Sequence, residues 1–417
     1  MASIARKNLL EDIPRFLVAQ AGIMFAVSLV TIQTGILNGF TRSTSLLIDN
    51  STADLWVASE KIVYFEVTDP LIANHVDQVR QVPGVSQAEP LIIGSGRWYP
   101  PQGDSSPLRI IGFNPQSSLF QPGTPIQGNF SDVQEPYGVM VDKVRLPSLE
   151  VSEIGAIARI DSLPTRVVAI TEGTQSIVAS TFLFTSIENA NTYINAGFKS
   201  KLDCRVEAGG DLKCTSVYEK KPSTLPQTLE NAPAPKPLGL TDPITYVLVK
   251  ATTDTEILTL QKRLEATIPG IRVFTTAQMS HQTRTYWQSR TSLGLVLGLG
   301  AVVGVVVGIV VVAQILYSSV SDHIKEFGTL KAMGAPDRVI YGIIVEQALW
   351  MAILGYIPGL LLCWGVSLWI VEQGIIILIT PGSALTVLGI TVLMCVSSAF
   401  FAIQKVTRID PAIVFKA

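Results

Sequence analysis

Charge is what this 417-residue sequence has least of: only 15% of it is Asp, Glu, Lys or Arg, against 48% hydrophobic residues. Soluble domains carry about 25% charged residues, so an ordinary soluble protein is excluded and a membrane chain is indicated. What charge exists is balanced, 31 basic against 33 acidic residues, which leaves no basic face for nucleic acid. Histidine and cysteine are scarce too, at three and four. His75, His281 and His323 stand far apart and read as solvated polar residues, and no CxxC or HExxH spacing offers a metal site. The sequence also lacks a GxxxxGK[ST] phosphate loop and a GxSxG elbow. Carboxylates in the long polar stretch are scattered, with no spacing that separates an acid from a base. The chain is therefore not expected to be an enzyme or to hold a metal or cofactor of its own.

Long apolar runs are what it does have. Phe16 to Leu37 (FLVAQAGIMFAVSLVTIQTGIL) carries no charge. It exceeds the about 7–15 residues of a secretory signal, and no small-residue cleavage site follows. A retained first membrane helix is expected over residues 16–40, after a polar segment 1–15. The second span, 291–317, contains LGLVLGLGAVVGVVVGIVVVAQIL, again uncharged, and about 20 apolar residues suffice to cross a bilayer. Two more spans, 339–371 and 383–403, flank a short loop, 372–382. Basic residues set the orientation. Arg6, Lys7 and Arg15 precede span one, Lys325, Lys331 and Arg338 lie in 318–338, and Lys405, Arg408 and Lys416 lie in the tail 404–417. The loop 372–382 has only Glu372. Both termini and 318–338 are thus expected in the cytoplasm, and 41–290 outside the plasma membrane.

The 41–290 stretch shows an internal echo. ADLWVAS, a helical pattern in DPLIANHVDQVRQV and AEPLIIGSGRW make one β-α-β unit; TYVLVKA, TDTEILTLQKRLEATI and PGIRVFTT make another. Each has Pro-Gly followed by Val or Ile after its helix. Together they predict one α+β subdomain (50–113 with 244–276) whose halves are distant in sequence. Between them, 114–243 reads as mostly β, with YGVMVDK, GAIARID, TRVVAIT and TFLFTS as strands. Lys220–Pro237 is proline-rich and reads as a loop. Cys204 and Cys214 flank a Gly-Gly-Asp turn that can fold the chain back on itself, and an exported domain can hold a disulfide, so a clip is expected. Cys363 and Cys395 fall in membrane spans and read as packing residues.

Three membrane features stand out. Gly300, Gly304 and Gly308 recur every four residues, with Gly294 and Gly298 just before them. This spacing predicts a close-packing face against span one or a second copy of the chain. Glu346, about two turns into span three, is read as structurally paired rather than as a proton or substrate group. After span two, SDHIKEFGTLKAMGA places Ile324, Phe327, Leu330 and Met333 at three-residue spacing, followed by Gly334-Ala335-Pro336. From spacing alone it is either an interfacial helix on lipid or a plug for a protein groove.

That segment resembles the signature of FtsX-like permeases of the MacB type, an E-(F/I)-G-x-L-(K/R)-A-(L/M)-G-A run between the second and third membrane helices. Glu326, Phe327, Gly328, Leu330, Lys331, Ala332, Met333, Gly334 and Ala335 carry the match, with Thr329 at its free position. The tail RIDPAIVFKA is similar to the family's ending. AGIMFAVSLVTIQTGILNGF, ADLWV and IIGFNP look most like the cyanobacterial DevC permeases. The resemblance implies four membrane helices and a large α+β periplasmic domain, with the two β-α-β halves as a porter-like subdomain. It implies a homodimer served by a separate ABC-type ATPase, which holds the ATP and magnesium and receives Glu326–Ala335 as a coupling element. Closure of the ATPase would be relayed through helices one and two, with the glycine face packing at the dimer centre. A periplasmic adaptor and a TolC-like outer-membrane duct would complete a tripartite exporter of an amphiphile such as a glycolipid, or of a peptide. Two rivals share the four-span plan: a lipoprotein-extracting permease, and a non-transporting FtsX-like regulator of a cell-wall hydrolase.

Overall fold

The structure, a computed structural model, describes residues 13–174, 181–195, 198–206, 212–220, 229, 232, 234–371 and 377–407, with backbone only for 198–220. It divides into two compact units, Met1–Phe40 with Thr291–Ala417, and Thr41–Arg290. Most of the proline-rich Lys220–Pro237 stretch, part of the loop 372–382 and the family-like tail from Arg408 lie outside the described residues.

The Thr41–Arg290 unit begins with the end of helix α1 (Ile13–Ser43) and a short helix α2 (Leu46–Asp49). The first β-α-β half follows: β1 (Leu55–Ser59), a two-residue β2 (Leu71–Ile72), α3 (Asn74–Arg80) and β3 (Val85–Tyr99). Then come β4 (Ser106–Phe113), β5 (Thr124–Gln127), β6 (Gly138–Asp142), β7 (Ile157–Ile160), β8 (Leu163–Glu172) and β9 (Thr181–Ser186). Helix α4 (Ile187–Asn195) and the hairpin β10 (Phe198–Val206) and β11 (Leu212–Lys220) come next. The second half is β12 (Pro243–Ile244), β13 (Tyr246–Ala251), α5 (Ile257–Thr267) and β14 (Ile271–Thr275), and α6 (Thr276–Arg290) closes the unit.

The two distant halves interleave in one antiparallel sheet, in the order β14-β1-β13-β3. That is the split β-α-β arrangement, in which each half supplies one central and one outer strand. The reason lies in the strands' own pattern. Side chains alternate between faces, yet Leu55, Trp56, Val57 and Ala58 are all fully buried, so both faces must be covered. Leu55 and Val57 join one core with Val76, Val79, Leu260 and Leu264 from α3 and α5. Trp56 and Ala58 join the other, with Leu47 and Ile48 of α2 and Met279 of α6. The segments flanking the membrane spans therefore cover the second face of the sheet.

β3 is 15 residues long and pairs with β13 through Leu91, then with β4 from Ile92 to Trp98. It carries the sheet on into the β-rich lobe, where β4 and β9 run parallel; ten of the described strands form this one sheet, and β10–β11 and β2–β12 are separate two-stranded pairs. The outer edge of β14 is closed by side chains. Gln261 donates to the Val273 carbonyl (2.7 Å), and Glu265 and Gln278 accept from the amides of Val273 and Thr275. An edge covered in this way offers no template for a foreign strand.

The other unit holds four helices long and apolar enough to cross a membrane: α1, α7 (Leu293–Asp322), α9 (Asp337–Val371) and α10 (Pro381–Thr407), with the short α8 (Ile324–Ala332) between α7 and α9. The helices start and stop a few residues away from the apolar runs; α7 continues to Asp322, past the apolar limit at 317. Backbone groups in lipid have no water to bond, so helix persists until the chain reaches the aqueous boundary.

Candidate functional site

The segment between spans two and three is built from two short-range signals. His323 breaks the helix (φ −94°, ψ 18°) after α7, and its Nδ1 lies 2.9 Å from the Ser319 carbonyl. Gly334 stops α8 in the left-handed region (φ 88°). The Ala335 amide donates to the Leu330 carbonyl (3.0 Å) and the Gly334 amide to that of Lys331 (3.1 Å), the paired bonds of a glycine-terminated helix end. Lys331 then reaches Asp337 across the turn, at 3.4 Å. Three of the four residues in the apolar stripe, Ile324, Phe327 and Leu330, turn inward, and only Met333 faces outward. Phe327 is 3% exposed and packs with Val320, Ile340 and Ile344, and Ile324 and Leu330 are partly buried against the same core. Burying such a ring contributes about 1.5–3 kcal/mol, which exceeds what the short helix could gain by presenting it to water. The outward face carries Glu326, Thr329 and Met333, the last 72% exposed. Gly328 is buried and Gly334 exposed; the side chain at Ala332 is outside the described residues.

Of the five glycines singled out in span two, three have neighbours that a side chain would strike. A Cβ on Gly300 would collide with the Gln33 amide of α1, and one on Gly304 would lie 2.8 Å from Leu29 Cδ2. At Gly308 it would collide with Met394 of α10 and approach Ala26 to 3.0 Å. Gly294 and Gly298 meet nothing within 4 Å. The ladder 300–304–308 is thus occupied within the chain, by spans one and four, and is not free for a second copy at those positions. Ser398 of α10 donates to the Ile309 carbonyl at 3.0 Å and holds the same approach. Glu346 is half-buried, whereas its neighbour Gln347 is 1% exposed and its Oε1 accepts from no described residue. Of the neighbouring pair Glu346 and Gln347, it is therefore the amide that is buried.

A second cluster stands where the chain enters and leaves the Thr41–Arg290 unit. Arg284 of α6 donates through Nε to Ser45 Oγ (2.7 Å) and through Nη2 to Asp49 Oδ2 (2.5 Å). Ser45 also donates to Asp49 (2.9 Å), and Ser280 Oγ donates to the other Asp49 oxygen. Close by, Tyr64 stacks on Tyr286 (4.2 Å between centroids) with Trp287 edge-on at 5.5 Å. Burial, helped by the charge of Glu66, pushes the Tyr64 hydroxyl up to about 12. Glu66 itself sits above the ordinary carboxylate range because it is buried, against the lowering effect of Arg109, whose Nε lies 2.9 Å from Glu66 Oε2. Residue pattern alone did not find α2 and α6 as a pair, because Arg284 lies more than 200 positions from Ser45 and Asp49 and none has a motif.

Cys204 and Cys214 are directly opposed in the β10–β11 ladder. Opposed residues in an antiparallel pair have Cα atoms about 4.5–5.5 Å apart, within the span a disulfide needs; their sulfurs lie outside the described residues. Cys363 and Cys395 are buried thiols. His75 and His281 lie in the Thr41–Arg290 unit and His323 in the other, and no metal-holding cluster occurs among the described residues.

Residues 298–411 match the family described as FtsX-like permease C-terminal, and residues 16–266 match the MacB-like periplasmic core domain. Among solved structures, the periplasmic region of MacB from Actinobacillus actinomycetemcomitans is similar at 11% identity, covering 58% of this chain and 94% of that one, with a TM-score of 0.35. The extracellular domain of the noncanonic ABC-type transporter YknZ from Gram-positive bacteria is similar at 12% identity, over 54% and 99%, with a TM-score of 0.32. A domain of a putative permease protein from Porphyromonas gingivalis matches at 11% identity, over 54% and 89%, with a TM-score of 0.30. The two sequence-family matches, which draw on both units, decide the assignment.

Proposed function

We infer a function from one premise: this chain belongs to the FtsX-like permeases that carry a MacB-like periplasmic core domain. It is the membrane permease of an ABC system, and the ATP and magnesium are assigned to a partner ATPase. Two copies of the permease form the working unit. With Gly304 and Gly308 buried against its own spans, α7 has its exposed face at Val302, Val306 and Val310, and the second copy is assigned there.

The single observation that carries this reading is α8 with its Gly334 end. Its apolar side anchors it to the spans, so it moves with them, and its outer side offers Glu326, Thr329 and Met333 on one helical face. An element fixed on one side and open on the other is suited to receive motion from a bound ATPase. Closure of the ATPase would shift spans one and two together, and the shift would reach the periplasmic domain at its two covalent joints. The Ser45–Asp49–Arg284 cluster makes those joints move as a pair. The system exports an amphiphile or peptide through a periplasmic adaptor and an outer-membrane duct; the DevC-like segments favour a glycolipid.

The test uses the tagged full chain isolated from its own membranes. Wild type should bring down an ABC ATPase, an adaptor and an outer-membrane duct. Met333→Asp should cut ATPase recovery at least tenfold at unchanged Tm. Phe327→Asp should instead lower the Tm of the permease itself, because an unpaired charge is placed in an apolar core. ATPase recovery unaffected by Met333→Asp would refute the coupling face, and a cell-wall hydrolase in place of the adaptor would refute export.

A further inference from the structure

The Thr41–Arg290 unit holds a cavity of about 370 Å³ between α4 and the β2–β12 pair, where the split β-α-β sheet meets the β-rich lobe. Its apolar floor is Ile92 and Ile244, both core residues, and Ile194 of α4 forms a wall. Gly94 lets that wall sit close, since a Cβ there would strike Ile194. The polar side chains that matter are Glu66, Asn191 and Asn195. Pockets of this size, apolar with a few convergent polar groups at a lobe junction, are where small molecules bind.

Part of the hydrogen-bonding capacity of these polar groups is not used by described residues. Asn195 Nδ2 donates to Asn191 Oδ1 (2.6 Å), and Asn191 Nδ2 donates to Asp242 (3.0 Å). The amide chain is thereby oriented, and Asn195 Oδ1 accepts from no described residue. Glu66 Oε2 is taken by Arg109 at 2.9 Å, while Oε1 accepts from no described residue. The cavity thus presents an acceptor at Glu66 Oε1 and, on Asn195, both an acceptor and a second amide hydrogen. The Glu66–Arg109 pair is locally neutral, so neither a cation nor an anion meets a net charge there to hold it.

We propose that this cavity binds a small uncharged amphiphile, an apolar body that lies on Ile92, Ile194 and Ile244 and carries a hydroxyl that donates its one hydrogen to Glu66 and accepts from the second Nδ2 hydrogen of Asn195. Burial of Glu66 supports this, because a carboxylate withdrawn from water gains more from a donor than an exposed one does. The site lies outside the ATPase-coupling segment, and its occupancy needs no ATPase, so it stands or falls separately from the transport reading.

The experiment is equilibrium dialysis of 2-naphthol against the full chain in lipid nanodiscs, with empty nanodiscs as background. One saturable site per chain is expected, with naphthalene, which lacks the hydroxyl, binding about tenfold more weakly. Asn195→Ala, at the partly exposed end of α4, should weaken 2-naphthol about fivefold, and Glu66→Gln should do so as well. Hydrogen exchange should show 2-naphthol protecting residues 191–195 and 243–245. Binding no greater than to empty discs would overturn the proposal. So would equal affinity for naphthalene, tighter binding of a naphthylmethylammonium ion, or indifference to Asn195→Ala in a chain of unchanged Tm.

Discussion

At the scale of the residue, the informative positions are those where a side chain has no room or no water. Gly304 faces Leu29 at a distance that a side chain cannot share, whereas Gly298 faces open space. Gly304→Leu should therefore lower the Tm of the detergent-purified chain by several degrees and loosen crosslinking between positions 29 and 304. Gly298→Ala should leave Tm unchanged or raise it, since alanine favours helix by about 1 kcal/mol over glycine. Equal effects at both sites would reject the packing face. The buried tyrosines make a second prediction. Tyr64 is held at about 12 by burial, and burial also raises Tyr193 and Tyr246. A hydroxyl whose folded pKa exceeds its unfolded value of 10 contributes its full stability below pH 10. That stability is lost as pH rises from 10 toward about 12, because the unfolded chain ionises first. Unfolding free energy measured by denaturant should thus fall from pH 10 upward, less steeply in Tyr64→Phe, and the tyrosinate absorbance that Tyr64→Phe removes should appear with unfolding rather than before it.

At the scale of the element, α2 and α6 form the base of the outer unit, and four side chains join them. Asp49 and Arg284 are each about a third exposed, at 32% and 38%, so solvent screening keeps their coupling modest. A double-mutant cycle on Asp49→Asn and Arg284→Met should give about 0.5–1 kcal/mol, shrinking in high salt. Coupling of zero would show that the pair adds nothing beyond geometry. The elements most legible from the amino-acid pattern were those whose burial is local. β6, β8 and β9 are apolar runs, and α5 shows Leu260 and Leu264 four apart. β4, α4 and α6 were not singled out. α6 in particular reads TAQMSHQTRTYWQSR, polar enough to pass for a loop, and its few buried positions, Met279 and Thr283 among them, are specified by partners far away in sequence.

At the scale of the whole molecule, the outer unit is closed on itself. Its two ends are brought together by Ser45 and Arg284, and its sheet is covered on both faces by its own residues. Residues 41–290 expressed alone should therefore fold and unfold in a single cooperative transition seen by circular dichroism; loss of structure on excision would mean that the membrane unit is needed to hold it. Family membership implies a partner ATPase; the helix proposed to meet it, Ile324–Ala332, has nine residues.

The amino-acid sequence by itself determined the class of this protein. Uncharged runs longer than a bilayer is thick admit only membrane helices, balanced charge removes nucleic acid, and the Glu326–Ala335 signature selects the family. Gly334, followed by Pro336, also dictates locally where α8 stops. Tertiary structure alone decided which way things face. The stripe Ile324–Phe327–Leu330 has the same spacing whether it points to a partner or to its own core, and only the neighbouring Val320 and Ile340 turn it inward. The glycine ladder likewise fits any close helix, and Leu29 and Met394 settle which helices occupy it. Spacing fixes which residues share a face; what that face touches depends on which other helices pack against it, near in sequence for Phe327 and far for Gly304.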